Sequence, residues 1–549
     1  MIKVLENPFY YLDNFQIVLS WIADRYDDLL TVEERALIRQ FPVLPQAARA
    51  LFVRMVMRKG DLFRASKLNY SEIGSTVDAA LPLIELAWLS IDPVLDLDQL
   101  FEVLLKHEIT SVFKLSPSEK KLLKADQLDL LRARHPEQQH FSAWVGALND
   151  QTYQVLNKTL CDRLRLIFFG NFHQNWSEFV LSELGIFQYE KVEFSASSRG
   201  FRCRQDIDDY FALQQCRERF HAEDAIPDIL QELANTATGN DWLAGRRHKL
   251  LFQIGEALEK AKDWDLAFEV YSGCQYPGAR LRSIRVLEKN GQSIAASALL
   301  KEAMKAPESD TEFQQLQRIA PRLQRKLGQP KLAAVPNVPV QRLDLCLPFP
   351  DAPCYVEAVV RDHLTQADAP MYFVENALIT SLFGLLCWRA IFHAIPGAFF
   401  HPFHRGPADL HSADFRKRRA DVFAECLAEL ESDAYLPTIR RTYAEKQGIQ
   451  SPFVVWHALD ENLLELALSC IPARHLLHWC ERILLDIKAN RNGFPDLIQF
   501  WPEQKRYQMI EVKGPGDRLQ DNQKRWIEFC ATHRMPISVC YLSWSEETA

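Results

Sequence analysis

Near the C-terminus of this 549-residue chain, two short apolar runs, DLIQFW and YQMIEVK, flank the turn-forming tetrapeptide Pro502-Glu503-Gln504-Lys505. That layout predicts a β-hairpin. Asp496 opens its first strand, and Glu511, Val512 and Lys513 close its second. Side chains alternate faces along a strand, so Glu511 and Lys513 share one side while Val512 turns into the core. With Asp496 opposite them on the paired strand, two carboxylates and an ammonium meet at one place. Oxygen donors of this kind suit a hard divalent ion, Mg²⁺ or Mn²⁺, whose charge offsets the repulsion between the acids. A lysine beside such an ion would orient the attacking water, lower its pKa or neutralise charge building on a phosphate.

The rest of the chain bounds what surrounds this hairpin. One hydrophobic core stops growing near about 250 to 300 residues, so 549 residues predict roughly three to five units. Hydrophobic residues at 48% and aromatics at 11% are enough to fill several cores. A formal charge of −8 excludes a protein that coats nucleic acid through bulk charge, so any phosphate contact must come from local patches. The 12 cysteines run from Cys161 to Cys540 without a CxxC pair, which predicts free thiols in a reducing compartment. MIKVLENPFYYLDNF shows no apolar run behind a positive start, so no signal peptide is expected. The most apolar stretch, Ala377 to Phe400, is interrupted by Arg389, His393 and Pro396 and predicts a buried helix, with no membrane span.

Ahead of the hairpin the pattern is helical. From Phe15 to about Tyr70 it has helical periodicity, and Thr31 with Glu34 three residues on reads as a capping box. Arg54, Arg58, Lys59, Arg64 and Lys67 then form either a solvated basic face or a contact surface for DNA backbone. Val94 to Arg132 predicts two short helices joined by a connector carrying Lys114, a layout that resembles a SAP-type element and equally fits helical packing with no ligand. LEKAKDWDLAFEV from Leu258 is echoed by LEKNGQSIAASAL from Leu287, which suggests helical hairpins of the tetratricopeptide kind. Gln329 to Pro339, spaced by prolines, is the candidate linker.

Two further histidines and two basic clusters stand out. His401 and His404 lie in a loop broken by Pro and Gly, where a structural or surface role outweighs metal binding. Arg416 to Arg419 reads as a solvated helical face or, second to that, a contact for DNA backbone. Arg217 and Arg219, with Arg246, Arg247, His248 and Lys249 one helix later, form the densest positive cluster. Within it Arg217, Arg246, Arg247 and Lys249 are candidates for a 5′-terminal phosphate pocket, because such a phosphate carries more charge than an internal diester.

The string Gly493-x-Pro495-Asp496, then EVKGP, then Asp517, Leu519, Gln523 and Trp526, resembles the VRR-NUC domain of the PD-(D/E)xK nuclease superfamily. That resemblance implies Asp496, Glu511 and Lys513 as catalytic residues and a following helix, in LQDNQKRWIEFC, whose Gln523 and Trp526 wall the site. It also implies an acid from an earlier helix, best matched by Glu375 in MYFVENALITSLFGLLCW. Two ions, Mg²⁺ or Mn²⁺, would then be held by Glu375, Asp496, Glu511 and the Val512 carbonyl.

NPFYYLDNFQIVL, YDDLLTVEE, VRMVMRKGDLFRASKLNY and PFHRGPADLHSADFRKRR further resemble blocks of the Fanconi-associated nuclease family. Its architecture implies a helical DNA-binding region at 1–90, a SAP-type domain with a helical extension at 91–215, tetratricopeptide-like helices at 216–328 and a VRR-NUC domain at 341–549. The expected fold is therefore mainly α-helical to about residue 340, then α/β around a central mixed sheet. The family implies a structure-selective, metal-dependent nuclease of 5′ flaps and branched double-stranded DNA, acting in interstrand cross-link repair. The chain begins at the first helical block without a ubiquitin-binding zinc finger, so a bacterial, cytoplasmic member is expected, nucleoid-associated during repair and active as a monomer. The alternatives are a Holliday junction-resolving nuclease and a DNA-binding scaffold that has lost activity.

Overall fold

The computed structural model describes all residues except 1–6, 147, 149, 175–186, 237–238, 331–338, 351–353 and 546–549. The chain divides into two units, residues 1–187 with 201–207 and residues 188–200 with 208–549.

In the first unit, α1 (Tyr10–Tyr26), α2 (Val32–Gln40) and α3 (Gln46–Val56) enclose Phe15, Leu19, Ile22, Phe41 and Phe52. Thr31 and Glu34 form the capping box that their spacing predicts, each side chain accepting from the other's backbone N–H ahead of α2. The helical pattern expected to run to Tyr70 ends earlier. The chain reverses at Gly60, whose φ of 81° is free of steric cost only for glycine. It continues as β1 (Leu62–Arg64), which pairs with β5 (Thr152–Val155) in a three-stranded sheet completed by β2 (Leu89–Ile91). Between these strands, α4 (Thr76–Glu85) packs on α3.

The segment read as two helices and a connector holds three helices: α5 (Leu97–Val103), α6 (Lys106–Val112) and α7 (Lys124–Arg132). α6 lies in the supposed connector, opened by Glu108, whose carboxylate accepts from the Leu105 N–H at 2.7 Å. Leu97, Leu100, Phe101, Ile109 and Leu131 share a core with Trp144. β3 (Val94–Leu95) pairs with β4 (Gln139–His140) beside α8 (Phe141–Val145), and α9 (Lys158–Phe169) packs on α1.

The second unit holds α10 (Arg204–His221) from Asp208 onward, α11 (Ile226–Asn235), and then α12 (Asp241–Ala261), α13 (Trp264–Ser272), α14 (Ala279–Lys289), α15 (Ser293–Lys305) and α16 (Asp310–Lys326). From α12 to α16 each helix packs on the next. The sequence echo marks two hairpins: Leu258 and Leu287 are both buried near a helix end, just before reversals at Lys262 and Gly291. Most of the proline-spaced linker lies outside the described residues.

Beyond it, five strands form one mixed sheet in the order β6 (Gln341–Leu347), β10 (Ile537–Trp544), β9 (Arg506–Lys513), β8 (Leu497–Trp501), β7 (Met371–Phe373). β10 runs parallel to both neighbours, and the β7–β8 and β8–β9 pairs are antiparallel. Period-two alternation gives the sheet two apolar faces. Leu497, Ile510, Val512 and Cys540 meet Val360 of α17 (Val356–Leu364), whereas Ile498, Phe500, Met509 and Val539 join the large helical core around α18 (Leu378–Leu386) and α19 (Ala473–Leu485). Every residue of α18 is buried, as its apolar run predicts. Among the described residues no helix is long and apolar enough to cross a membrane.

One charge reading changes. Arg418 and Arg419 are not a solvated face: both guanidinium groups bind Asp409, and Arg419 is 1% exposed with bonds of 2.8 Å to each Asp409 oxygen. The structural reading of the loop histidines fits their bonds, since His401 Nδ1 accepts from the Phe403 N–H and His404 Nε2 from the Phe400 N–H. All 12 cysteines are free thiols.

Candidate active site

β8 and β9 form the expected hairpin, paired from Leu497 opposite Ile510 to Trp501 opposite Arg506, with Lys505 turning at φ 48°. Extending that register by one residue sets Asp496 against Glu511. The Val512 N–H closes the junction by donating to Asp496 Oδ2 at 2.8 Å. Val512 packs inward with Leu497 and Ile510, as alternation requires. Lys513 Nζ stands 2.7 Å from Glu511 Oε1, and both residues are buried.

Glu375 comes from the turn after β7. The neighbouring Val374 N–H donates to the Asp496 carbonyl at 2.8 Å, so this exposed acid is tied to the hairpin through the backbone. Burial pushes the Asp496 carboxyl up to about 6, with Lys513 opposing and Glu375 and Glu357 adding to the rise. Burial and then the charge of Asp496 push Glu511 to about 8, against the pull of Lys513. Glu357, in the first turn of α17, has no signature in the sequence and is seen only once the fold brings its charge to bear on Asp496.

The residues fit a hard divalent cation. Glu511 is 0% exposed, yet neither carboxylate oxygen takes part in a hydrogen bond of ordinary geometry, and Lys513 offers only an ion-pair contact. A buried carboxylate without donors is costly unless positive charge compensates it. The available donors are all oxygen, from Asp496, Glu511, Glu375 and the Val512 carbonyl, which favours Mg²⁺-like ions over zinc. Among the described residues no three Asp, Glu, His or Cys side chains cage an ion by themselves. Water and a phosphate oxygen would complete the shell, as Mg²⁺ sites usually require.

The helix expected after the hairpin is α20 (Asp521–Thr532). Its Trp526 is 1% exposed, donates to the Asn492 carbonyl at 3.2 Å and stacks on Phe494 at 4.0 Å, so it braces the segment entering Asp496. Gln523 is buried, and its side-chain oxygen accepts from the Gln520 N–H at 2.8 Å, which caps α20.

The large basic cluster is sorted by helical phase. Arg217 of α10 and Arg246 and Lys249 of α12 line one pocket with Tyr210, Leu213, Gln214, Leu250 and Gln253. Residues 246, 249, 250 and 253 share a face of α12, whereas Arg247 is rotated off it and donates to the Leu233 carbonyl at 2.8 Å. Arg247 therefore leaves the expected phosphate set. Arg219 also turns away, to Asp224 and Glu232. Arg246 stacks over Tyr210 and Trp242, each 4.7 Å away, and its buried Nε has no hydrogen-bond partner. Among the described residues no carboxylate pairs with Arg217, Arg246 or Lys249. Burial, then Arg217, Arg246 and Lys488, depress the Lys249 pKa. Lys488, on the short helix Ile487–Asn490 that leads to Asp496, is a cation that no motif in the sequence marks.

The proposed DNA-backbone residues also separate. Arg58, Lys59 and Lys67 are exposed. Arg54 is bound to Glu72 at 2.7 Å and lies 3.8 Å over the Tyr11 ring. Arg64 is 6% exposed, held by Glu108 at 2.5 Å and Asp150 at 2.7 Å, so its guanidinium is committed internally and cannot serve the surface role expected of it.

Three family profiles match the chain: the FAN1 HTH domain over residues 9–90, the Fanconi anemia-associated nuclease SAP domain over 94–144, and the VRR-NUC domain over 430–544. The Fanconi-associated nuclease 1 homolog of Pseudomonas aeruginosa is 54% identical over 540 residues, covering 98% of this chain and 97% of the relative. The chain belongs to the Fanconi-associated nuclease 1 family. A Fanconi-associated nuclease 1 homolog of Arabidopsis thaliana is 22% identical over 598 residues, 96% of this chain and 66% of that protein. A crystal structure of paFAN1 bound to 2-nucleotide 5′-flap DNA with a gap superposes with a TM-score of 0.91 at 53% identity, covering 99% of this chain and 100% of that one. A second, with a 1-nucleotide flap, gives 0.89 at 54% identity, over 98% and 100%. As a Fanconi-associated nuclease 1 with a VRR-NUC domain, the chain is a DNA nuclease, a hydrolase of phosphodiesters that depends on divalent metal.

Proposed function

We propose that the chain cuts 5′-flapped and branched double-stranded DNA a few nucleotides from a 5′ end, acting as a monomer in the cytoplasm during interstrand cross-link repair. The observation that carries this reading is the pocket of Arg217, Arg246 and Lys249, cationic and without a carboxylate partner among the described residues, in the same unit as the acid hairpin. Arg forks and a lysine suit a terminal phosphate, which exposes one more charged oxygen than a diester. Its capture would set the cut by the span of the protein and not by base sequence. The relative paFAN1, crystallised with 5′-flap DNA, supports the substrate class.

In this reading Glu375, Asp496, Glu511 and the Val512 carbonyl hold Mg²⁺ or Mn²⁺. A cation bound there supplies charge to the phosphate oxygens and makes water more acidic. Lys513 stabilises negative charge growing on the phosphate, and Glu511 positions it through their ion pair. Gln523 and Trp526 hold the wall beside Asp496. Arg58, Lys59 and Lys67 add backbone contacts.

Matched flaps ending in a 5′-phosphate or a 5′-hydroxyl test the proposal, cut by wild type and by Arg217→Ala/Lys249→Ala. Wild type prefers the phosphate and cuts at a fixed distance, and the variant loses the preference while still cutting slowly. A wild-type rate and cut position that ignore the 5′ group would refute the pocket.

A further inference from the structure

Asn376 adopts a φ of 51°, a left-handed conformation that asparagine tolerates better than most residues because its short amide bonds locally. Its side chain reaches two strand ends at once. Oδ1 accepts from the Gly493 N–H at 2.7 Å and from the Phe494 N–H at 3.3 Å. Nδ2 donates to Glu375 Oε1 at 3.0 Å. The amide orientation is forced, since two backbone donors at one end demand the oxygen there. The nitrogen is thereby left to face the Glu375 carboxylate.

Glu375 and Asp496 stand far apart in the sequence, one in the turn after β7 and the other just ahead of β8. Asp496 follows Gly493 and Phe494 by two to three residues, and Glu375 is the residue before Asn376. Beside the Val374 N–H to Asp496 carbonyl bond, Asn376 is thus the side-chain bridge between the turn bearing one acid and the segment bearing the other. The bridge acts on the exposed Glu375 directly, because the Nδ2 bond restricts a side chain that is otherwise free to sweep through solvent.

We propose that Asn376 is a positioning residue that sets divalent-ion affinity by fixing the Glu375 carboxylate relative to Asp496. This rests on the reading of Glu375 as a ligand. Groups that orient metal ligands typically change metal affinity by about 10- to 100-fold when removed. Asn376 would not itself hold the ion; it acts through Glu375 and through the backbone entering Asp496.

The test is a calorimetric titration of the DNA-free full-length protein with Mn²⁺, for wild type, Glu375→Gln, Asn376→Gly and Asn376→Asp. Asn376→Gly keeps the left-handed backbone and loses all three side-chain bonds, so its Mn²⁺ affinity falls about 10- to 100-fold. Asn376→Asp keeps the oxygen that accepts from both loop N–H groups, loses the donor to Glu375 and weakens Mn²⁺ several-fold, about half as far on a logarithmic scale. Affinity for 5′-phosphorylated flap DNA in EDTA stays at the wild-type level in both, and saturating Mn²⁺ restores most of the cleavage rate. If Glu375→Gln binds Mn²⁺ like wild type, the ligand assignment fails and the proposal with it. If Glu375→Gln is weakened while Asn376→Gly is not, the positioning role alone is overturned. Should the glycine variant not fold, Asn376→Asp carries the test, and wild-type or tighter Mn²⁺ binding there overturns the proposal.

Discussion

Arg318 of α16 grips both carboxylate oxygens of Asp521, the first residue of α20. Two neighbours repeat the contact along one face of α16: Gln314 accepts from Arg525 at 2.7 Å, and Asp310 pairs with Arg482 at 3.0 Å. α16 is thereby fastened to α19 and to the helix that braces Asn492 and Phe494 ahead of Asp496. Arg318 and Asp521 are partly exposed, so Arg318→Ala is expected to cost only about 0.2–1 kcal/mol of stability. Its effect should appear in geometry. On a 5′-phosphorylated flap the variant gives a wider spread of product lengths than wild type on a denaturing gel, and Arg318→Asp combined with Asp521→Arg narrows it again. An unchanged product ladder in Arg318→Ala would remove this ion pair from the setting of the cut.

The metal-free acids predict a pH dependence with a definite sign. Asp496 is raised to about 6 and Glu511 to about 8, chiefly by burial. Both carboxyls bind a proton more tightly in the folded protein than in the unfolded chain. Their contribution to stability is fully present below the ordinary carboxylate pKa of about 4, and it is lost as pH rises through about 6 for Asp496 and about 8 for Glu511. In EDTA the Tm therefore falls between about pH 5 and pH 9. Glu511→Gln, neutral at every pH, melts higher than wild type at the alkaline end. Excess Mg²⁺ reverses the alkaline loss in wild type by replacing the proton as counter-charge. A Tm in EDTA that is level or rising over this range would contradict the buried, unsatisfied state of Glu511.

Gly493 offers a different test of how the acids are held. It has a φ of +94°, and a Cβ there would lie 2.9–3.0 Å from Asn522 atoms, including a backbone carbon. Gly493→Ala must both strain the backbone and push α20 away from the segment leading to Asp496. A loss of about 1–3 kcal/mol is expected from the conformation alone. Calorimetry should also show weaker Mn²⁺ binding, and denaturant melts should show the stability loss. Wild-type stability in Gly493→Ala would show that the segment is free to relax.

The hairpin was legible because its information is local: a period-two pattern, a turn, and acids at fixed places on the two strands. α2 and α18 were legible for the same reason, through Thr31 with Glu34 and through an unbroken apolar run. What the sequence concealed depends on partners far along the chain. Arg64 meets Glu108 and Asp150, and Arg419 meets Asp409, so charges that looked solvated are internal. Asn376, Glu357 and Lys488 are single polar residues without a motif, and only folding brings them to Asp496, Gly493 or Lys249. Arg247 is a nearer miss, because the phase of α12 already separates it from Arg246 and Lys249.

The split among the basic residues of the first unit gives the last prediction. Arg64 is 6% exposed and joins β1 to Glu108 of α6 and to Asp150, which also accepts from the Ser66 hydroxyl and N–H. Removing one partner of a buried ion pair strands the others, at a cost of about 3–5 kcal/mol. Lys59 and Lys67 are exposed and, among the described residues, pair with no carboxylate. Arg64→Ala should therefore lower the denaturation midpoint strongly, while the folded fraction binds flap DNA with an unchanged dependence on salt. Lys59→Ala/Lys67→Ala should melt like wild type and bind more weakly, with the slope of log affinity against log salt reduced by about one for each phosphate that a lysine no longer neutralises. Fluorescence anisotropy across a salt series, read beside urea melts of the same samples, separates the two effects. A reduced salt slope in Arg64→Ala at full folding would return that residue to the DNA surface. An unchanged slope in the double lysine variant would remove Lys59 and Lys67 from it.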